Sequence, residues 1–313
     1  MLKEVSQIIW KEIIIAQNTS IFDEPEYLET IASLHNTKII YWIIYKNEKP
    51  IIGFAVHVKN KSIIVPDHFS YSSFWICNEI GEFSAFNFLD EALIKLKKEF
   101  KFIKFRLSPV VKDIRAFNSN NFFAKVNYTY LNDTVNLHFR KDIKKKINIT
   151  CKSELEFFND SNYIEVVKQQ IGDFKLFGYT DKRVEFYKSY FECLAKEGFL
   201  KSFSVKSKGM LVASSQVIID QKESFAYNLL VSSSKSNYSL EVSAFLYDNM
   251  LKYFREHNIK TFDFYGADMK GIANFKSGFN GNLTPHYTVD YNFINKYALP
   301  SFYRLKKAIK KFF

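Results

Sequence analysis

The residues best equipped for chemistry gather between positions 261 and 281. Asp263 alternates with Phe262 and Phe264, so on a strand its carboxylate points away from both rings. There it could orient an amine or take its proton, or it could lie on a solvated sheet face. Lys276 stands between Phe275 and Gly278, where the backbone is expected to bend, and is either a functional charge or a solvated one. Tyr265 and Tyr238 could donate a hydrogen bond to a carbonyl, although packing is the ordinary role in a chain with 19 tyrosines. A lysine, a tyrosine, a carboxylate and backbone N–H groups suffice for direct acyl transfer to an amine. The amine is the nucleophile; the protein must position it, let it lose a proton and stabilise the oxyanion.

Other chemistries lack their residues. There is no GxxxxGK(S/T) phosphate loop, no GxGxxG, no GxSxG nucleophile elbow and no HExxH. The six histidines show no metal spacing, and Cys77, Cys151 and Cys193 are too widely separated for a zinc site or a disulfide framework. These absences weigh against a nucleotide hydrolase, a serine hydrolase and a zinc enzyme, and no metal is expected. The thiols suit a reducing cytoplasm. No apolar run is long enough for a signal peptide or a membrane span, so the protein is expected to stay where it is made. The formal net charge of +11 suits attraction to nucleic acid, anionic lipid or phosphate-bearing substrates, or a lysine-rich solubilising surface.

The elements that must hold these residues occur twice. Residues 39–45 and 50–58 read as a hairpin, preceded by a helix over 26–34 with Pro25 at its start. A helix over 85–100 and a strand over 102–107 follow. In the second half, strands over 200–205, 210–219 and 224–231 lead to a helix over 240–257 and a strand over 261–265. The two helix–strand units superpose with Asp90 on Asp248, Leu93 on Leu251 and Lys97 on Arg255, which predicts an internal duplication. The boundary is expected near 140, giving domains 1–140 and 141–313. The basic run 140–146 could meet RNA phosphates or be a solvated junction. Residues 302–313 read as a basic amphipathic helix that could rest on an anionic membrane or dock on its own domain.

The segment Asp263-Phe264-Tyr265-Gly266, followed by Phe275-Lys276-Ser277-Gly278-Phe279 and Gly281, resembles the C-terminal signature of the FemAB/FemX family. Residues 22–28, 105–109, 128–131 and 300–305 resemble other family segments in the same order. The resemblance implies an α+β fold of two tandem GNAT-like domains with mixed, mostly antiparallel sheets flanked by helices. It further implies an acyl- or aminoacyltransferase forming an amide on an amine of a cell-envelope precursor. The acceptor would be a UDP-MurNAc-peptide of the peptidoglycan stem, a lipid-linked precursor or an amino sugar. The donor would be aminoacyl-tRNA or acyl-CoA, with no tightly bound cofactor, acting in the cytoplasm or at the inner face of its membrane.

By the same resemblance Lys276 stabilises negative charge, with Asp263 and Tyr265 beside it as catalytic candidates. Asp67, His68 and Tyr71 lie in a loop resembling the one that faces the acceptor, and Tyr238, Phe275 and Gly278 join them as substrate-binding candidates. Lys235 and Arg255 could meet a donor phosphate. The loop 232–239 has no glycine of the kind acyl-CoA enzymes use to hold a pyrophosphate, and 151–198 leaves no room for the long helical arm of many tRNA-using members. The alternatives are an acyl-CoA-dependent N-acyltransferase acting on an amino sugar or lipid, and a non-catalytic binding protein on the same fold.

Overall fold

The computed structural model describes residues 1–17, 19–150, 154–160, 162–176, 178–233 and 240–292. The chain runs β1 (Leu2–Val5), α1 (Gln7–Gln17), a 3-10 turn (Ile21–Asp23), α2 (Pro25–His35), β2 (Lys38–Lys46), β3 (Lys49–Lys59), β4 (Ser62–Ile64) and β5 (Trp75–Ile76). It continues with α3 (Glu82–Glu99), β6 (Phe102–Leu107), α4 (Arg115–Ser119) and β7 (Phe123–Asp133). Next come α5 (Lys141–Thr150), β8 (Leu155–Phe158), α6 (Tyr163–Leu176), α7 (Asp181–Lys196), β9 (Leu200–Ser207), β10 (Met210–Asp220) and β11 (Phe225–Ser233). The described chain closes with α8 (Leu240–Glu256), β12 (Thr261–Asp263), α9 (Lys270–Ser277) and β13 (Asn282–Asn292).

The order of elements is a repeat. Strand, two helices, an antiparallel meander, a helix, a strand, a short helix and a last strand occur once as β1 to β7 and again as β8 to β13. The meanders turn alike. Asn47 and Glu48 both have positive φ, as do Lys208 and Gly209, the conformation of a two-residue type I′ hairpin loop. After each meander the helix returns the chain to a parallel strand: β6 beside β4, and β12 beside β11.

Two compact units divide the chain: Met1–Val126 with the stretch from His286 onward, and Asn127–Pro285. The sequence reading cuts once, at 140/141. Two cuts arise because β7 and β13 are exchanged. β13 pairs antiparallel with β6 over 287–292, completing the first unit, and β7 pairs antiparallel with β12 over 131–133, completing the second. The basic run is the start of α5 rather than a bare junction, since Ile143, Ile147 and Thr150 recur at helical spacing and are buried.

In the first unit α3 buries Leu89, Leu93 and Leu96 against Trp42, Phe54 and Phe105. The opposite sheet face is covered by aromatic side chains, with Trp10 of α1 packed on Tyr41 and Trp75. Gly53 is required there: a Cβ would sit 2.4 Å from Trp75 Cε2. In the second unit α8 buries Tyr247, Met250, Leu251 and Phe254 against Phe203, Val205, Val217 and Phe262.

Candidate active site

β12 is short, and its ending builds the site. The sequence reading carries the strand to 265, but it stops at Asp263 because Tyr265 (φ 46°) and Gly266 (φ 73°) turn left-handed. Glycine takes that conformation freely and tyrosine does so only when neighbours hold it. The holders are Asp263 and Lys276. Asp263 is fully buried; its Oδ1 accepts the Tyr265 N–H at 2.7 Å and also the Thr129 hydroxyl of β7. Lys276, in the last turn of α9, is 6% exposed. Its Nζ donates to the carbonyls of Phe264 (2.8 Å), Gly266 (2.8 Å) and Tyr265. All three ammonium hydrogens therefore go to the turn.

Burial pushes the Lys276 ammonium down to about 8, while the charge of Asp263 pulls it back up. The carbonyls accept only from hydrogens on nitrogen and favour the charged form as well. Behind the turn, Asn228 of β11 donates to the Phe264 carbonyl at 3.3 Å and lies 3.5 Å from the Tyr247 hydroxyl. Ser215 of β10 donates to Asn228 Oδ1 at 2.9 Å. Burial raises the Tyr247 phenol, which stays protonated. Beyond the turn, the Ala267 N–H reaches the Tyr128 carbonyl, and Asp268 accepts the Tyr128 N–H, so the segment is laid along β7.

Asp263, Tyr265 and Lys276 thus meet at one turn, with Tyr265 half-buried. Phe275 packs on Tyr247 and Phe279, and Gly278 caps α9 where a Cβ would strike Ile143. Asp67 is exposed, and His68 has φ 58° in the same loop. Tyr71 is wholly buried, edge-on to Phe22 and His286, so its ring is a core element of the first unit. Arg255 is exposed in the last turn of α8, about 22 Å along the helix from Leu240 at 1.5 Å per residue. It does not share the helix start with the loop before it. Lys235, Tyr238 and the tail 302–313 lie outside the described residues.

Thr129, Asn228, Ser215 and Tyr247 are not among the site candidates named from the sequence. A signal existed for one of them: Asn228 is a lone polar residue within the apolar run 225–231 of β11. A groove of about 530 Å³ opens on α5, lined by Lys141, Lys144, Lys145, Asn148 and Ile149. Those lysines make no ion pair among the described residues, whereas Lys146 approaches Glu241 at 4.0 Å. Among the described residues no cluster of His, Cys, Asp and Glu could hold a metal ion, and no helix is long and apolar enough to cross a membrane.

A meander, a helix and a parallel strand, repeated and closed by exchanged strands, define an α+β fold of two tandem GNAT-like units. FemX shares the fold, with TM-score 0.67 at 13% identity over 96% of this chain and 99% of that one. The C-terminal domain of a putative lysylphosphatidylglycerol synthetase from Agrobacterium fabrum has TM-score 0.57 at 11% identity, covering 91% of each chain. A tandem GNAT protein from the clavulanic acid biosynthesis pathway has TM-score 0.54 at 7% identity, covering 93% of this chain and 98% of that one. No protein-family model matches the sequence, and no curated protein matches it.

Proposed function

We propose that the chain is an acyltransferase that forms an amide on an amine of a cell-envelope precursor, with aminoacyl-tRNA as donor and a peptidoglycan stem peptide as acceptor. The observation that carries this reading is the β12–α9 turn, where a buried carboxylate and a buried ammonium hold a half-buried tyrosine. The positive charge of Lys276 acts through the turn it clamps and favours an oxyanion formed nearby. The Tyr265 phenol, carried by the half-buried residue that the turn holds, is the group assigned to the reacting carbonyl or the amine. Asp263 orients Tyr265 through its N–H and partly offsets the burial that lowers the Lys276 ammonium.

The likeness to FemX and to a lysylphosphatidylglycerol synthetase domain supports an envelope substrate. The lysine-lined groove on α5 supports a polyanionic donor such as tRNA. A second reading, acyl-CoA-dependent transfer to an amino sugar or lipid, draws on the likeness to the tandem GNAT protein.

Thermal shift separates these readings, since a ligand bound only by the native state raises Tm. UDP-MurNAc-pentapeptide is expected to stabilise the protein without CoA. A response to acetyl-CoA or longer acyl-CoAs would make CoA the donor. Indifference to the muropeptide, UDP-amino sugars and every CoA would contradict the proposal.

A further inference from the structure

The two units differ in what lies between the sheet and its first two helices. In the first unit that layer holds Trp10, Tyr41 and Trp75. In the second unit α6 packs on β9, β10 and β11, and the layer includes buried serine and glutamine side chains. Pairing fixes the side. Ser204 lies opposite Ser214, and Ser202 opposite Gln216, while the intervening Phe203 and Val205 point into the α8 core. Ser214 and Gln216 are fully buried, with Ser202 and Ser204 nearly so. From α6, Gln170 is 1% exposed and its Nε2 lies 3.4 Å from Ser214 Oγ, which donates to Gln169 Oε1.

Four amide atoms in this layer are buried with no hydrogen-bond partner: Gln169 Nε2, Gln170 Oε1, and both Nε2 and Oε1 of Gln216. They offer two donors and two acceptors. Buried amides left unmade are costly, and an apolar layer like that of the first unit would avoid the cost. The buried polar side chains of this layer are uncharged, and the charges at its edge, Lys206 of β9 and Glu165 of α6, are paired with each other at 2.9 Å, so an added charge would not be welcome in it. Gln169 is half-buried, which brings the layer to the surface at that edge.

We propose that the Gln169, Gln170 and Gln216 layer of the second unit is a binding recess for a neutral amide-bearing group, such as a peptide bond or an N-acyl group. Such a group sets a donor and an acceptor side by side without charge, matching Gln216 on one strand and the split pair on α6. The recess lies on the other face of β10 from Ser215, whose partner Asn228 donates to the Phe264 carbonyl that Lys276 also binds. Occupancy can therefore reach the β12–α9 turn through one strand. The proposal stands apart from acyl transfer, because binding is read directly.

The test uses the full chain labelled with nitrogen-15 at glutamine side chains, titrated with N-acetylalanine amide and, separately, N-acetylglucosamine. The side-chain amide resonance of Gln216, assigned by its loss in Gln216→Met, is expected to shift saturably with at least one probe. Methyl acetate, which lacks the donor, is expected to leave it unmoved. Gln170→Met is expected to weaken the response at least about tenfold, the loss of roughly one buried hydrogen bond. Gln216→Met is expected to leave Tm of the free protein unchanged or higher. The absence of any saturable shift up to the solubility limit of both probes would overturn the proposal. So would a marked fall in Tm, or failure to fold, in Gln216→Met, since the amide would then serve the fold itself.

Discussion

Asp263 and Lys276 hold Tyr265 by its two backbone polar groups: the carboxylate accepts the residue's N–H at 2.7 Å and the ammonium donates to its carbonyl. Neither side chain is spent on the surface. Together they fix a left-handed tyrosine that the local sequence would not adopt unaided.

Lys276→Met removes the donor from three carbonyls at once. Water can reach those of Tyr265 and Gly266, which are half-buried, so the loss is less than three full hydrogen bonds. A destabilisation of about 2–4 kcal/mol is expected by urea unfolding. Asp263→Asn keeps the shape but leaves the ammonium without its buried counter-charge, at a cost of about the same size. The two changes are expected to be non-additive, because both act on one turn.

The pH dependence follows from the depressed Lys276 value. Folded, the ammonium loses its proton near 8; unfolded, at the ordinary value of 10.5. Between these, the unfolded chain carries a proton that the folded one lacks. Raising pH through that window strips it from the unfolded chain alone, so stability rises. Relative to Lys276→Met, wild type is expected to gain up to about 3 kcal/mol between pH ~8 and ~10.5. In Asp263→Asn the onset is expected at lower pH. A flat difference curve would show that the carbonyls hold the proton against burial.

His57 gives the mirror case at acid pH. Burial, aided by His35, lowers it to about 3, and Thr37 Oγ1 lies 3.0 Å from its Nδ1. As pH falls below 6.5 the unfolded chain takes up a proton that the folded one refuses, and stability drops by about 1.4 kcal/mol per pH unit. His57→Leu is expected to remove that part of the slope in denaturant unfolding between pH ~6 and ~4.

Gly53→Ala is expected to displace the Trp75 ring and cost about 1–3 kcal/mol, read as a lower Tm and a changed tryptophan emission.

Much of the architecture was legible. Alternating apolar residues on either side of Asn47 and of Lys208-Gly209 announce both hairpins, and the apolar stripes of α3 and α8 announce the helices. The exchanged strands were not, because β7 mixes Asn127, Thr129 and Asn132 into its buried positions and its partners are far away in sequence. In α5 four lysines mask the spacing of Ile143 and Ile147. Asp263, Tyr265 and Lys276 could be named from one segment. Their joint use could not, since Thr129 joins them from 134 residues away and left-handed Tyr265 has no local sequence signal. Tyr71 looks like a loop residue by position, yet neighbouring aromatic rings draw it into the core.

The groove on α5 makes a separate expectation. Charge reversal of Lys144 and Lys145 to Glu is expected to weaken binding of bulk tRNA and to flatten its dependence on salt, leaving muropeptide stabilisation unchanged. Unaltered tRNA binding and salt slope would remove α5 from the donor path.

The most direct measurement incubates the protein with UDP-MurNAc-pentapeptide and either a charged tRNA pool or acetyl-CoA, and weighs the muropeptide by mass spectrometry. The expected result is a mass gain of one acyl or aminoacyl unit on a muropeptide amine, lost in Lys276→Met under conditions where that variant is folded. A muropeptide that binds and raises Tm but gains no mass with either donor would contradict the transferase reading and leave a binding protein on this fold.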